Sequence, residues 1–311
     1  MKLSCRHILS INDLSKKDVQ AILQTAVSFK EISERPIKKV PTLRGRTVIN
    51  CFFEDSTRTR LSFELAEKRL SADSTNISKS GSAMAKKGET LLDTVRNIEA
   101  MRPDILVIRH DVAGAAAQAA EVTRAHVINA GDGMHEHPTQ ALLDLMTIND
   151  AKGRLSGLHV GIAGDILHSR VARSDMLLFR KMGMKVTAAG PPTLLPVGLK
   201  EAFDVDVCYD IREALPKLDV LMLLRVQRER QGEQLFPSTR EYARHFGTSS
   251  ESLVGAKDDL VIMHPGPVNR GVEISAEVAD GDRSIILDQV TNGIAVRMAL
   301  LYLLLGGGPD E

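Results

Sequence analysis

The 311 residues carry 40 Lys plus Arg against 40 Asp plus Glu, with 43% hydrophobic and 26% charged residues, ordinary usage for a folded chain of about two domains. That excludes global disorder, a collagen-like fibre and a small disulfide scaffold, and the lack of a basic excess argues against nucleic acid as a partner. Three cysteines, Cys5, Cys51 and Cys208, form no CxxC, so reduced and mostly buried thiols are expected rather than disulfides or zinc. The first ten residues lack an apolar signal core, and the most apolar stretch, 299–305, is far shorter than a bilayer span of about 20 residues. A cytoplasmic protein that does not enter the membrane is the expectation.

In chain order, the patterning predicts a helix over 16–31, a strand over 48–53 and a helix over 59–70. A helix over 91–101, a strand over 105–109, a helix over 113–121 and a strand over 127–130 follow. After a helix over 139–149, a polar, Gly-bearing stretch at 151–157 marks a boundary. Beyond it come strands at 159–163, 185–189, 205–209, 220–224 and 260–263, with helices at 170–181 and 292–304. Such alternation argues for α/β architecture: two doubly wound parallel-sheet domains joined by interdomain helices. The expected division is 1–150 and 151–289, with the last helix, about 290–311, able to pack back on the first domain. Ligands of open α/β sheets bind beyond the carboxyl ends of strands.

The run FFEDSTRTR at 52–60 follows the first strong strand and opens a helix. Hydroxyls, guanidinium groups and free backbone N–H groups there suit an anion. No GxxxxGK[ST] occurs, so this is not a Walker loop. Arg109 ends another strand, and HEHPTQ at 135–140 follows a third, with Pro138 suited to a first helical turn. The His pair has only Asp144 nearby as a further ligand, so no metal is expected. In the second half GDILHSR at 164–170 and LRVQRER at 224–230 each follow a strand and supply arginines, whose planar donors recognise carboxylates. Met263, His264, Pro265, Gly266 and Pro267 close the set.

These motifs, in this order, resemble the aspartate and ornithine carbamoyltransferase family over roughly residues 6–305. The resemblance implies that Ser56, Thr57, Arg58 and Thr59 hold the phosphate of carbamoyl phosphate. It also implies that Thr59, Arg109 and His137 donate to the carbamoyl oxygen, and that Gln140 holds the carbamoyl amide. It puts Lys87, on a loop entering a neighbouring subunit's site, among the catalytic and aspartate-binding residues. Arg170, Arg225 and Gln227 would take aspartate, with Glu54 and Arg230 orienting Arg170 and Arg225. Backbone carbonyls of Gly266 and Pro267 would accept from the carbamoyl amide and the incoming amine. The second-half motifs are similar to the aspartate branch, and the loop typical of ornithine enzymes is absent. Carbamoyl phosphate and L-aspartate would then give N-carbamoyl-L-aspartate and phosphate, in de novo pyrimidine (UMP) synthesis, with no cofactor.

The resemblance also implies a homotrimer with shared active sites. It points to a higher assembly with dihydroorotase-type chains in preference to zinc-bearing regulatory chains. Two positions depart from the family pattern: Asp55, where a small residue or Pro is usual, and Ala83, where a serine is usual. They are the only support for an inactive scaffold, which the full set of arginines, His137 and Gln140 opposes. An ornithine or other amino-acid carbamoyltransferase is the rival within the same chemistry. A nucleotide-dependent oxidoreductase is suggested only by the GIAGD run at 161–165, which lacks GxGxxG.

Overall fold

A computed structural model describes residues 2–78, 88–227 and 235–306. The chain divides into two compact units, Met1–Leu143 with Thr291–Glu311, and Asp144–Val290. Both boundaries fall inside helices, α5 (Pro138–Lys152) and α11 (Ile286–Leu304).

In the first unit, helix α1 (Lys16–Glu34) starts at a capping box in which Ser15 and Asp18 satisfy each other's backbone N–H groups. Val19, Ile22, Leu23, Ala26 and Phe29 form its buried stripe, the spacing of an amphipathic helix. Strands β1 (Thr47–Phe52), β2 (Asp73–Ser78), β3 (Ile105–His110) and β4 (His126–Asp132) make a parallel sheet ordered β2-β1-β3-β4. Helices α2 (Thr57–Arg69), α3 (Leu91–Glu99) and α4 (Ala115–Glu121) connect them. Ile49, Cys51, Leu106, Ile108 and Val127 pack with Val95, Ile98, Ala116 and Ala119. Each buried Val, Leu or Ile among them contributes about 1.5–3 kcal/mol.

Strand β2 escaped the sequence reading because DSTNIS has no apolar alternation. It is a sheet edge with no fully buried side chain, so its pairing with β1 rests on backbone bonds. The cysteine expectation also needs correction. Cys51 is buried and burial pushes its thiol up to about 12, but Cys5 and Cys208 are only half-buried. Cys208 ends an edge strand, and Cys5 lies in the N-terminal segment before α1.

In the second unit, β5 (His159–Ala163), β6 (Lys185–Ala189), β7 (Asp206–Cys208), β8 (Val220–Leu223) and β9 (Val261–Met263) form a parallel sheet ordered β7-β6-β5-β8-β9. Its longest crossover helix is α6 (Arg170–Lys181). The short helices α7 (Leu199–Phe203), α8 (Ile211–Ala214), α9 (Thr239–Phe246) and α10 (Ala276–Ala279) were not predicted. They are too brief for a helical period to stand out. The expected α/β architecture of two parallel sheets holds. In each sheet the chain leaves its first strand toward one side and then crosses to the other. That puts a switch point between β1 and β3, and another between β5 and β8.

Candidate active site

The first unit gathers its expected residues at the carboxyl ends of three adjacent strands. Phe52 is in register with Arg109, and the Phe53 N–H donates to the Arg109 carbonyl at 2.8 Å. The segment after β1 therefore runs directly beside the end of β3. Ser56 is the N-cap residue of α2, yet its side chain makes no capping bond within the helix. The first turn of α2 holds no acidic residue, which leaves its N–H groups and positive dipole end suited to an anion. Thr57 and Arg58 are exposed, Ser56 is half-buried and Thr59 is buried. Asp55 is exposed, so water screens the carboxylate that departs from the family pattern.

Arg109 is held from two sides. One terminal nitrogen donates to the Ala130 carbonyl at 3.2 Å, and the other meets Glu54 Oε1 at 3.2 Å. Glu54 is thus a partner of Arg109 within the first unit. Beyond β4, the turn to α5 is organised by buried Asp132, which accepts from the Gly114 N–H, Asn129 Nδ2 and the Glu136 N–H. Gly133, at φ +49°, leaves no room for a side chain, because a Cβ would meet the Ala113 nitrogen at 2.7 Å. Glu136 accepts from the Ser10 hydroxyl and from the Ile11 N–H at 3.1 Å, tying this turn to the N-terminal segment. His137, Thr139 and Gln140 are all buried at the start of α5, where Gln140 N–H donates to the His137 carbonyl.

The second unit repeats the arrangement. Gly164, at φ +132°, directly follows β5 where a Cβ would stand 2.6 Å from the Leu224 carbonyl oxygen. Asp165 is wholly buried and joins the two strand ends at the switch point: Oδ1 accepts from His168, and Oδ2 accepts from the Gln227 N–H at 3.1 Å. The Gln227 amide donates to the His168 carbonyl at 3.2 Å. Ser169 caps α6, and Arg170, 5% exposed, is its first residue. Arg225 is half-buried beside Val226, which packs with Leu194 and Tyr242. After β9, His264 is buried, Gly266 is half-buried and Pro267 is exposed.

Arg170, Arg225 with Gln227, and Gly266 with Pro267 therefore follow three neighbouring strands, β5, β8 and β9. Lys87, Arg230 and Ala83 lie outside the described residues. Asp165 was missed by sequence reasoning as the link between its own segment and Gln227. The two are 62 positions apart, and only the parallel pairing of β5 with β8 brings them together. Among the described residues no group of three or more His, Cys, Asp or Glu could hold a metal ion, and no helix is long and apolar enough to cross a membrane.

Residues 6–150 match the family domain described as aspartate/ornithine carbamoyltransferase, carbamoyl-P binding domain, and 156–304 match the Asp/Orn binding domain. The chain is 57% identical over 310 residues to an aspartate carbamoyltransferase catalytic subunit of Desulfosudis oleivorans, covering 100% of this chain and 99% of that one. It is 60% identical over 304 residues to that of Desulfotalea psychrophila, covering 98% and 95%. Among solved structures, aspartate transcarbamoylase from Trypanosoma cruzi in complex with N-(phosphonacetyl)-L-aspartic acid is similar at a TM-score of 0.87 and 30% identity, over 96% of this chain and 95% of that one. Ornithine carbamoyltransferase from Pyrococcus furiosus is similar at a TM-score of 0.87 and 28% identity, over 99% of each. With both domains matched and close relatives spanning its whole length, the chain belongs to the aspartate/ornithine carbamoyltransferase family.

Proposed function

We propose that this chain transfers the carbamoyl group of carbamoyl phosphate to the α-amine of L-aspartate, giving N-carbamoyl-L-aspartate and phosphate in de novo pyrimidine synthesis. The fold does not choose between acceptors, since an aspartate and an ornithine enzyme are equally similar to it. The carrying observation is the pair of arginines, Arg170 and Arg225, in the segments that follow β5 and β8. Two guanidinium groups suit a dicarboxylate and repel the second amine of ornithine.

Carbamoyl phosphate is an activated acyl phosphate, so the protein's task is positioning and charge stabilisation. In this reading Ser56, Thr57, Arg58 and Thr59 hold the phosphate on the helix N-terminus. Thr59, Arg109 and His137 donate to the carbamoyl oxygen as it gains charge, an oxyanion hole in which each donor is worth about 3 kcal/mol. Gln140 and the carbonyls of Gly266 and Pro267 hold the carbamoyl amide. Arg170, Arg225 and Gln227 hold the aspartate carboxylates. The amine nitrogen bonds to the carbonyl carbon, the bond from carbon to the phosphate oxygen breaks, and the departing phosphate takes the amine proton. No protein nucleophile takes part.

A cytoplasmic homotrimer in which Lys87 enters a neighbouring subunit's site belongs to the same proposal, as does association with dihydroorotase-type chains. Arg230 would orient Arg225. The test is formation of N-carbamoyl-aspartate by the purified chain, with L-aspartate and L-ornithine in parallel. Turnover with aspartate alone is expected; turnover with ornithine, or silence with both, contradicts the reading.

A further inference from the structure

The loop after β9 contains a side chain to which the family resemblance gave no role. His264 has no solvent-exposed side-chain surface and lies two residues before Gly266. Its Nδ1 accepts from the Gly266 N–H at 2.8 Å, and its Nε2 faces Glu273 Oε1 at 3.3 Å. These contacts decide the ring's proton. A backbone N–H can only donate, so Nδ1 is the acceptor and the proton sits on Nε2, directed at the carboxylate.

The residue's backbone is held as well. The His264 backbone N–H donates to Gln289 Oε1 at 2.9 Å, and Gln289 Nε2 donates to buried Asp144 at 2.6 Å. Glu273 also accepts from the Asn269 N–H at 2.5 Å. One ring therefore spans the loop from its first residue to its far side. Gly266 between them holds φ +66° and a cis peptide bond to Pro267. The end of β3 uses the same bond on a smaller scale, with the Val112 N–H donating to His110 Nδ1 at 2.9 Å.

We infer that His264 is a positioning residue for carbamoyl transfer: it accepts the Gly266 N–H on Nδ1, is oriented by Glu273 through Nε2, and so fixes the backbone whose carbonyls hold the carbamoyl amide. The inference rests on the function proposed above, in which Gly266 and Pro267 supply those carbonyls. His264 touches no substrate. Its effect falls on the carbamoyl group and not on the phosphate, whose cradle belongs to the first unit.

Two conservative replacements separate its two bonds. The Asn amide oxygen stands as many bonds from the backbone as Nδ1, so His264→Asn keeps an acceptor for Gly266. The Gln amide nitrogen stands as many bonds from the backbone as Nε2, so His264→Gln keeps only the donor to Glu273. The experiment measures kcat, KM for both substrates and the inhibition constant of inorganic phosphate, for wild type, His264→Asn, His264→Gln and His264→Ala.

The expected result is a kcat loss of about 10–100-fold in the Gln and Ala variants. The Asn variant should stay within about threefold of wild type, and phosphate inhibition should stay within about twofold in all of them. Unchanged kcat in His264→Gln overturns the inference, as does a Gln variant more active than the Asn variant, which would leave only a structural tie to Glu273. If His264→Ala does not fold, the Asn and Gln pair decides. Failure of this inference alone shows as an active wild type with an indifferent His264→Gln. A wild type silent with both substrates overturns the functional reading, and this inference with it.

Discussion

Arg109 Nη2 stands 3.2 Å from Glu54 Oε1, while Nη1 of the same guanidinium donates to the Ala130 carbonyl at 3.2 Å. One side chain on β3 thereby ties the segment after β1 to β4, at the edge where the first unit's expected substrate contacts gather. A carboxylate that pairs with Arg109 holds the planar group in one orientation, which in the proposed function pre-aims a donor at the carbamoyl oxygen.

Replacing Arg109 with Ala is expected to lower kcat by about 100–1,000-fold, the usual cost of an oxyanion donor. Arg109→Lys is expected to recover little, because one ammonium cannot span both Glu54 and Ala130. Steady-state kinetics of the two variants check this. A Lys variant at wild-type rate would remove the geometric argument.

Arg225 is expected to act on the other substrate. Arg225→Ala should raise KM for aspartate by about 10–100-fold, the worth of one charged hydrogen bond or two. KM for carbamoyl phosphate should move less than about threefold. Equal rises in both KM values, measured with each substrate varied in turn, would place Arg225 elsewhere in the reaction.

Gly164 lies at φ +132°, with the Leu224 carbonyl 2.6 Å from where a Cβ would be. Neither side of that contact can yield cheaply, since both are backbone at adjacent strand ends. Gly164→Ala is expected to cost about 1–3 kcal/mol of stability and to displace Arg225, the next residue after Leu224. Urea unfolding and KM for aspartate together report it; a variant with wild-type values for both would contradict the close approach.

Glu67 sits wholly buried under β1, where burial pushes its carboxyl up from 4.5 to about 7 against hydrogen bonds from Asn50 and Ser74, with Glu64 and Lys68 nearby. The folded state then holds a proton that the unfolded chain releases near pH 4.5. Stability contributed by the protonated form is present below that pH and is lost as pH rises to about 7, by about 3 kcal/mol at most. Glu67→Gln keeps a neutral side chain at every pH. It is expected to match wild type at pH 4 and to exceed it at pH 8 in urea unfolding. A difference that does not change with pH would refute the assignment.

How much of this was legible depended on whether the signal was local. The strand-turn-helix around 52–60 carried its own evidence: an apolar strand, then hydroxyls and arginines, then a helical stripe. Buried strands such as β3 and β5 were equally plain from their apolar runs. Edge strand β2 was not, because DSTNIS buries almost nothing. Contacts between distant segments were invisible by nature. Asp165 with Gln227 and Glu54 with Arg109 meet only after the parallel sheets form, and His264 with Glu273 meets only once the loop after β9 folds back on itself. Lys87 and Arg230, expected from the family pattern, fall outside the described residues.

The most direct test of the central claim, that this chain holds carbamoyl phosphate through Arg109 and aspartate through Arg225, uses a single ligand carrying both groups. Binding of N-(phosphonacetyl)-L-aspartate would be measured by calorimetry with wild type, Arg109→Ala, Arg225→Ala and the double variant. The account predicts tight binding to wild type and a loss of about tenfold or more in each single variant, the scale of one charge-assisted contact. Wild-type affinity in either single variant would contradict it.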